Sequence, residues 1–270
     1  MALERIAQRG MVLLGCGKMG SALLAGWLAA GLPATSVWVL EPHPSDWLRG
    51  IGVHLNQGVP PAPAVALLAV KPQMMGAALP ALQALGNGRT LVVSIAAGTS
   101  IATVEAVFGA RTPIMRTMPN TPAMVGRGIT GLCRNAHASA GDVQLAQDLM
   151  AAVGEVVMLD GEHQIYAVTA VSGSGPAYVF HLIEAMATAG VAEGLSADTA
   201  MRLARATVCG AGELAFRAPE TAAQLRVNVT SPGGTTAAAL AVLMDEATGF
   251  PPLLRRAVKA AADRGRELGA

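Results

Sequence analysis

Cysteine is scarce in this chain. Its 270 residues include only 3, Cys16, Cys133 and Cys209, far apart and without a CxxC spacing, so neither a disulfide framework nor a zinc site is signalled. A reduced, cytoplasmic compartment is the expectation. The 5 histidines, His43, His54, His137, His163 and His181, form no HxxxH or HExxH pair, and no metal is implied. Charge surplus is lacking too: 19 Lys and Arg stand against 18 Asp and Glu, a net of +1, with no basic run. Nucleic acid and anionic membrane surfaces both need a concentrated field of Lys and Arg, so neither is expected as a partner. Aromatics make up only 3% of the chain although 52% of it is hydrophobic, which excludes disorder and raises the question of a membrane span. The most apolar stretch, residues 11–32, carries Lys18 and is punctuated by glycine, which suits a spanning helix badly. It also lacks the small-residue cleavage site of a signal peptide. A buried strand followed by a buried helix accounts for it.

At about 150 residues per domain the length implies two domains. Residues 11–14, 36–40, 65–70, 90–95, 114–117 and 156–159 read as short apolar strands bounded by Gly or Pro. Ala-rich stretches of helical length, 19–30, 73–85 and 101–108, lie between them. Continuously apolar strands alternating with helices are the mark of a parallel sheet covered on both faces, so residues 1–161 are expected to form a doubly wound, Rossmann-type α/β domain. After Asp160 the strand signal stops. Helices are expected over 177–189, from a Ser196 cap to Arg217, over 234–244 and over 251–268, making residues 162–270 an all-α domain. Segments 200–216 and 237–243 are apolar on more than one face, which calls for a second burial surface; a thick monomeric core is one source of it, and an intertwined homodimer is the expectation.

Gly15-Cys16-Gly17-Lys18-Met19-Gly20 is a G-x-G-x-x-G pattern directly after a strand and opening a helix. In that context the glycines allow a tight turn and close approach of backbone to a pyrophosphate seated on the helix N-terminus. A methyl-donor-binding enzyme uses a similar first loop. Glu41 ends the second strand, where a carboxylate accepts hydrogen bonds from the adenosine ribose and repels a 2′-phosphate, so NADH is expected to be accepted well. A solvated loop carboxylate is the plainer alternative. The chain has three lysines, and two of them, Lys18 and Lys71, fall in loops at the carboxyl ends of strands, the ligand edge of such a sheet. Lys71-Pro72 follows one strand there and Met118-Pro119-Asn120-Thr121-Pro122 another. In the helical half, Asn228-Val229-Thr230-Ser231-Pro232-Gly233-Gly234-Thr235-Thr236 leads into a helix, with Ser231 as an N-cap-type residue and free N–H groups at a positive dipole end. That is the physics of a carboxylate site or, more simply, of a well-capped helix. No Asp, His or Lys accompanies its hydroxyls, and no G-x-S-x-G occurs, so a serine-nucleophile hydrolase is not indicated. The small residues of Ser172-Gly173-Ser174-Gly175-Pro176 suit close helix packing better than a second anion loop.

Taken in order, Gly15 to Gly20, Ala69-Val70-Lys71-Pro72, Ser94 to Gly98, Met118-Pro119-Asn120, Ser172 to Tyr178 and Ser231-Pro232-Gly233-Gly234-Thr235-Thr236 make the chain resemble, nearly end to end, the pyrroline-5-carboxylate reductases. The resemblance implies a Rossmann domain followed by a helical dimerisation domain, with dimers assembling in some members into a decamer. It implies that Asn56, Val70, Lys71, Ala97 and Asn228 contact NADPH or NADH, and that Glu162 and residues 231–236 surround the substrate. The implied reaction is hydride transfer to C5 of the cyclic imine 1-pyrroline-5-carboxylate, giving L-proline in the last step of proline biosynthesis. Thr236 would meet the ring nitrogen, while Ser231 and the amides around Gly233, Gly234 and Thr235 would anchor the carboxylate. One departure is the end of the second strand, where many relatives carry small polar or basic residues and favour NADPH. Two other readings fit less well. The 3-hydroxyacid dehydrogenases depend on a lysine at the start of the helical domain, and this chain has none between Lys71 and Lys259. A non-catalytic dinucleotide-binding regulator would keep the glycine loop without needing the anion-binding helix start.

Overall fold

The computed structural model describes residues 2–269. They form two compact units, one running to Gly173 and including the C-terminal residues from Ala261, the other Ser174–Ala260. The helices are α1 Ala2–Arg9, α2 Lys18–Ala29, α3 Asp46–Gly50, α4 Pro72–Ala78, α5 Ile101–Phe108, α6 Ala140–Ala151, α7 Ile165–Val168, α8 Gly175–Ala192, α9 Ala197–Arg217, α10 Ala222–Asn228, α11 Thr235–Leu243 and α12 Phe250–Gly269. The strands are β1 Met11–Leu14, β2 Val37–Leu40, β3 His54–Leu55, β4 Val65–Leu68, β5 Leu91–Ser94, β6 Ile114–Met118, β7 Gly128–Arg134 and β8 Gly154–Met158.

All strands join one sheet in the order β3-β2-β1-β4-β5-β6-β7-β8. The first six are parallel, as in a doubly wound fold. Alternate residues of the apolar strands enter opposite faces: Met11, Leu13, Val65 and Leu67 join one core cluster with Leu23, Leu24 and Trp27, whereas Val12, Leu14, Ala66 and Leu68 join another with Leu79, Leu82 and Phe108. Both faces are covered by helices, which explains why these strands are apolar without interruption. Burying each such side chain is worth about 1.5–3 kcal/mol. Strand order reverses between β1 and β4, and the crevice beyond their carboxyl ends is where a doubly wound sheet binds its ligand.

The structure departs from the expected elements in several places, among them the short strand β3 and the helices α1, α3, α6 and α10. Strand β7, with Gly128 and Gly131, is an extra element running antiparallel to β6. The helix expected over 73–85 ends at Ala78 and continues as a 3₁₀ segment Leu79–Leu85, because Pro80 has no N–H and its ring clashes with the carbonyl four residues back. The expected helix over 177–189 runs on through Gly190 to Ala192. In the second unit the buried apolar side chains are Ala187, Ala200 and Ala204, packed between α8 and α9. Phe180, Leu203, Leu214, Phe216, Val227 and Val242 of that unit are exposed. Among the described residues, no helix is long and apolar enough to cross a membrane, and no cluster of ligating side chains could hold a metal.

Candidate functional site

The glycine loop is built by three different constraints. Gly15 has φ +86°, and a Cβ there would lie 2.8 Å from Val70 Cγ1 and 3.0 Å from the Ala69 carbonyl, so the turn sits directly on the end of β4. A Cβ on Gly20 would meet the Gly15 carbonyl oxygen at 2.9 Å, so α2 starts as close to the turn as backbone permits. Gly17 differs, for nothing lies within 4 Å of its Cβ position. It is the N-cap of α2, without a side-chain cap, and Lys18 and Met19 form the helix's first turn. Open space over an uncapped helix N-terminus fits a pyrophosphate, which approaches the backbone and accepts its N–H groups.

Glu41 and Asn56 meet this loop. One Glu41 carboxylate oxygen, Oε2, accepts the Cys16 N–H at 2.7 Å, and the other, Oε1, accepts the His43 N–H at 3.0 Å. Asn56, held at φ +53°, accepts the Glu41 N–H at 3.0 Å and donates to the Glu41 carbonyl oxygen at 2.9 Å. Glu41 thus ties the end of β2 to the loop after β1, a link between residues 25 positions apart that the sequence did not disclose. Cys16 is buried, and its thiol pKa is raised, chiefly by burial.

Along the same edge, Val70 is half-buried, Lys71 is exposed as the N-cap of α4, and Pro72 opens that helix. Ala97 is exposed at the tip of the β5–α5 loop. Asn120 is buried: its side chain accepts the Ile129 N–H at 2.9 Å and donates to the Ser172 carbonyl at 3.1 Å, a link between the end of β6 and the chain beyond β8. Glu162 lies in this unit too, its Oε1 accepting from Arg116 Nη1 at 2.5 Å and from the Ile101 N–H at 2.7 Å. Arg116 has no counterpart in the sequence reading, where a cation in mid-strand carries no signal. Cys133, opposite it in register, has its thiol pushed up to about 11, chiefly by burial.

In the helical unit, Asn228 ends α10 and residues 231–234 make a tight turn in which Ser231 O accepts the Gly234 N–H at 3.0 Å. Ser231 is not the N-cap of α11; Gly234 is, and no side chain caps the helix. The reason is the turn, which with Gly233 at φ +70° spends Ser231's carbonyl before the helix begins. Ser231, Gly233 and Thr235 are exposed and Thr236 is half-buried. An uncapped helix start flanked by hydroxyls suits a carboxylate.

A family profile described as "Pyrroline-5-carboxylate reductase dimerisation" matches residues 162–268, and one described as "NADP oxidoreductase coenzyme F420-dependent" matches residues 11–98. A pyrroline-5-carboxylate reductase of Pseudomonas aeruginosa is 42% identical over 99% of this chain and 98% of its own length. The chain belongs to the pyrroline-5-carboxylate reductase family. The fold agrees: the structure of the Coxiella burnetii pyrroline-5-carboxylate reductase matches 97% of this chain and 99% of that one at 34% identity and a TM-score of 0.90. The Plasmodium falciparum pyrroline carboxylate reductase, solved with NADP bound, matches 97% and 98% at 29% identity and a TM-score of 0.83. Membership gives the glycine loop and the loop before α11 their place in one enzyme family.

Proposed function

We infer that this chain is a pyrroline-5-carboxylate reductase, an NAD(P)H-dependent oxidoreductase that reduces the C5=N bond of 1-pyrroline-5-carboxylate to give L-proline, the last step of proline biosynthesis. End-to-end identity with reductases of that name carries the inference. The coenzyme, NADPH or NADH, supplies the hydride. The residues around the switch point bind it: Gly15, Gly17, Lys18, Met19 and Gly20 receive the pyrophosphate, Glu41 and Asn56 the adenosine ribose, and Val70, Lys71, Pro72 and Ala97 line the path toward the nicotinamide, with Asn228 supplied by the helical domain. The open space over Gly17 supports this assignment. Ser231 and the amides of Gly233, Gly234 and Thr235 hold the substrate carboxylate at the start of α11, which fixes the ring before reaction. The Thr236 hydroxyl hydrogen-bonds the ring nitrogen and stabilises its charge. A threonine hydroxyl is a weak acid, so the proton that balances the reduction comes from solvent.

The working unit is a homodimer formed through the helical domain, which we place at residues 162–270 after a coenzyme domain of residues 1–161, and dimers assemble further into a decamer. The compartment is the cytoplasm, where three unpaired thiols persist. The deciding experiment follows NAD(P)H oxidation with pyrroline-5-carboxylate. Turnover is expected, and Thr236→Ala is expected to lower kcat/KM by about 10²-fold or more while coenzyme binding persists. Unchanged kcat/KM in that variant removes Thr236 from the site, and no turnover by the intact wild type overturns the reductase reading.

A further inference from the structure

The C-terminal residues from Ala261 belong to the sheet unit, where the end of α12 lies against the loop between β5 and α5. Three glycines make that contact. Gly98 sits in the loop at φ +76°, and a Cβ on it would lie 2.9 Å from the Leu268 carbonyl oxygen. Gly265 and Gly269, one turn apart on α12, face Tyr166. A Cβ on Gly265 would lie 3.2 Å from Cδ1 of that ring, and one on Gly269 would collide with the Tyr166 hydroxyl and stand 3.3 Å from the Gly98 carbonyl oxygen. The ring is placed in turn by Arg116, whose guanidinium carbon is 5.5 Å from its centroid.

Neither helix stability nor apolar burial accounts for this arrangement. Glycine inside a helix weakens it, so Gly265 is a cost to α12 that alanine would avoid. Leu268 is 55% exposed, so its side chain does not anchor the turn, and its backbone carbonyl is what meets Gly98. The glycines let α12 settle on Tyr166 and reach the loop. At its start the loop is tied to the sheet, the Ile95 N–H donating to Leu68 O at 3.1 Å and the Ala96 N–H to Ser94 Oγ at 3.3 Å. At its end Ser100 caps α5, its hydroxyl accepting the Thr103 N–H at 3.1 Å. Between these ties stand Ala97, exposed at the ligand edge of the sheet, and Gly98, backed by α12.

We propose that the end of α12 is a positioning element of the coenzyme site: seated on Tyr166 through Gly265 and Gly269, it holds Gly98, and with it Ala97, in the conformation that receives the nicotinamide half of NAD(P)H. Gly265 and Leu268 act through the loop. The proposal rests on the reductase reading above for Ala97's place beside the coenzyme, and its test reads binding and the loop directly. In the full-length protein, Gly265→Leu puts a long side chain against Tyr166 while giving α12 a better helix former. Leu268→Pro unravels the final turn, away from both core clusters, because its ring clashes with the carbonyl four residues back. Each is expected to raise the Kd of NADH and NADPH, followed by fluorescence titration, by about tenfold, as for a loop that keeps the receiving conformation about a tenth of the time. Each is also expected to speed hydrogen exchange at Gly98 and Thr99. Gly265→Ala asks Tyr166 to give by only a few tenths of an ångström and is expected to bind coenzyme as wild type does. Leu268→Pro decides the matter if Gly265→Leu does not fold. Wild-type coenzyme affinity in Leu268→Pro overturns the proposal, and so does a tenfold loss with exchange at Gly98 and Thr99 unchanged. A wild type that binds coenzyme and responds to these substitutions as expected, yet does not turn over the imine, sinks the reductase reading alone. One that binds neither coenzyme overturns both.

Discussion

Glu41 ties two elements together, and under the proposed function the same carboxylate faces the coenzyme. Both of its oxygens accept backbone N–H groups, one from the glycine loop itself, so the negative charge at the end of β2 is held in place. A fixed carboxylate there disfavours a 2′-phosphate by charge repulsion, and its loss also loosens the loop. Glu41→Ser is therefore expected to raise the ratio of kcat/KM for NADPH over NADH by about tenfold, equivalent to roughly 1.4 kcal/mol of removed repulsion, and to lower kcat/KM for NADH. Steady-state kinetics with both coenzymes check this, and an unchanged ratio removes Glu41 from coenzyme selection. The carboxylate's position was legible in the sequence because it ends an apolar strand. Its bond to Cys16 was not, because only the sheet brings β1 and β2 side by side. Arg116 was hidden for the same reason: burial and an ion pair across 46 residues are tertiary facts.

At the scale of an element, the glycine loop and its helix were read correctly from six residues, and the structure divides their work. Gly15 and Gly20 are required by backbone space, whereas Gly17 faces open space. Gly15→Ala places a Cβ at φ +86° against Val70 and is expected to cost about 1–2 kcal/mol or more of stability. Gly17→Ala is expected to leave the melting temperature nearly unchanged and to weaken NAD(P)H binding. Thermal denaturation paired with coenzyme titration separates the two, and equal loss of stability in both variants contradicts the division. Where sequence reading went astray, a local rule was outweighed. Strand β7, which carries two glycines and was not among the expected strands, lies in the sheet between β6 and β8, and a Cβ on Gly131 would lie 2.9 Å from Val168, so small size is what lets α7 approach. The segment beyond Ala78 has helical spacing, yet Pro80 cannot continue an α-helix.

The whole molecule pairs two units of very different self-sufficiency. The sheet unit buries large apolar side chains on both faces, while the helical unit buries mainly alanine between α8 and α9 and leaves Phe180, Leu214 and Phe216 exposed. A helical unit with so little core needs a second surface, and a second copy of the chain meets that need. Stability is then linked to subunit association, so a 100-fold dilution is expected to lower the melting temperature by roughly 5 °C, with dimers or larger assemblies seen by sedimentation at the higher concentration. A melting temperature independent of concentration, with a monomer in solution, contradicts the homodimer.

The sequence by itself determined six of the eight strands, where the first glycine loop meets its helix and where strands give way to helices, because those features depend on local periodicity, glycine and proline. Only the tertiary structure decided that β7 turns back against β6, that Glu41 grips the Cys16 amide and that a buried Arg116 and the Ile101 N–H meet on one oxygen of Glu162. Each of those depends on groups distant in the chain competing for the same hydrogen-bond partners once water is excluded, and no local pattern encodes which of them wins.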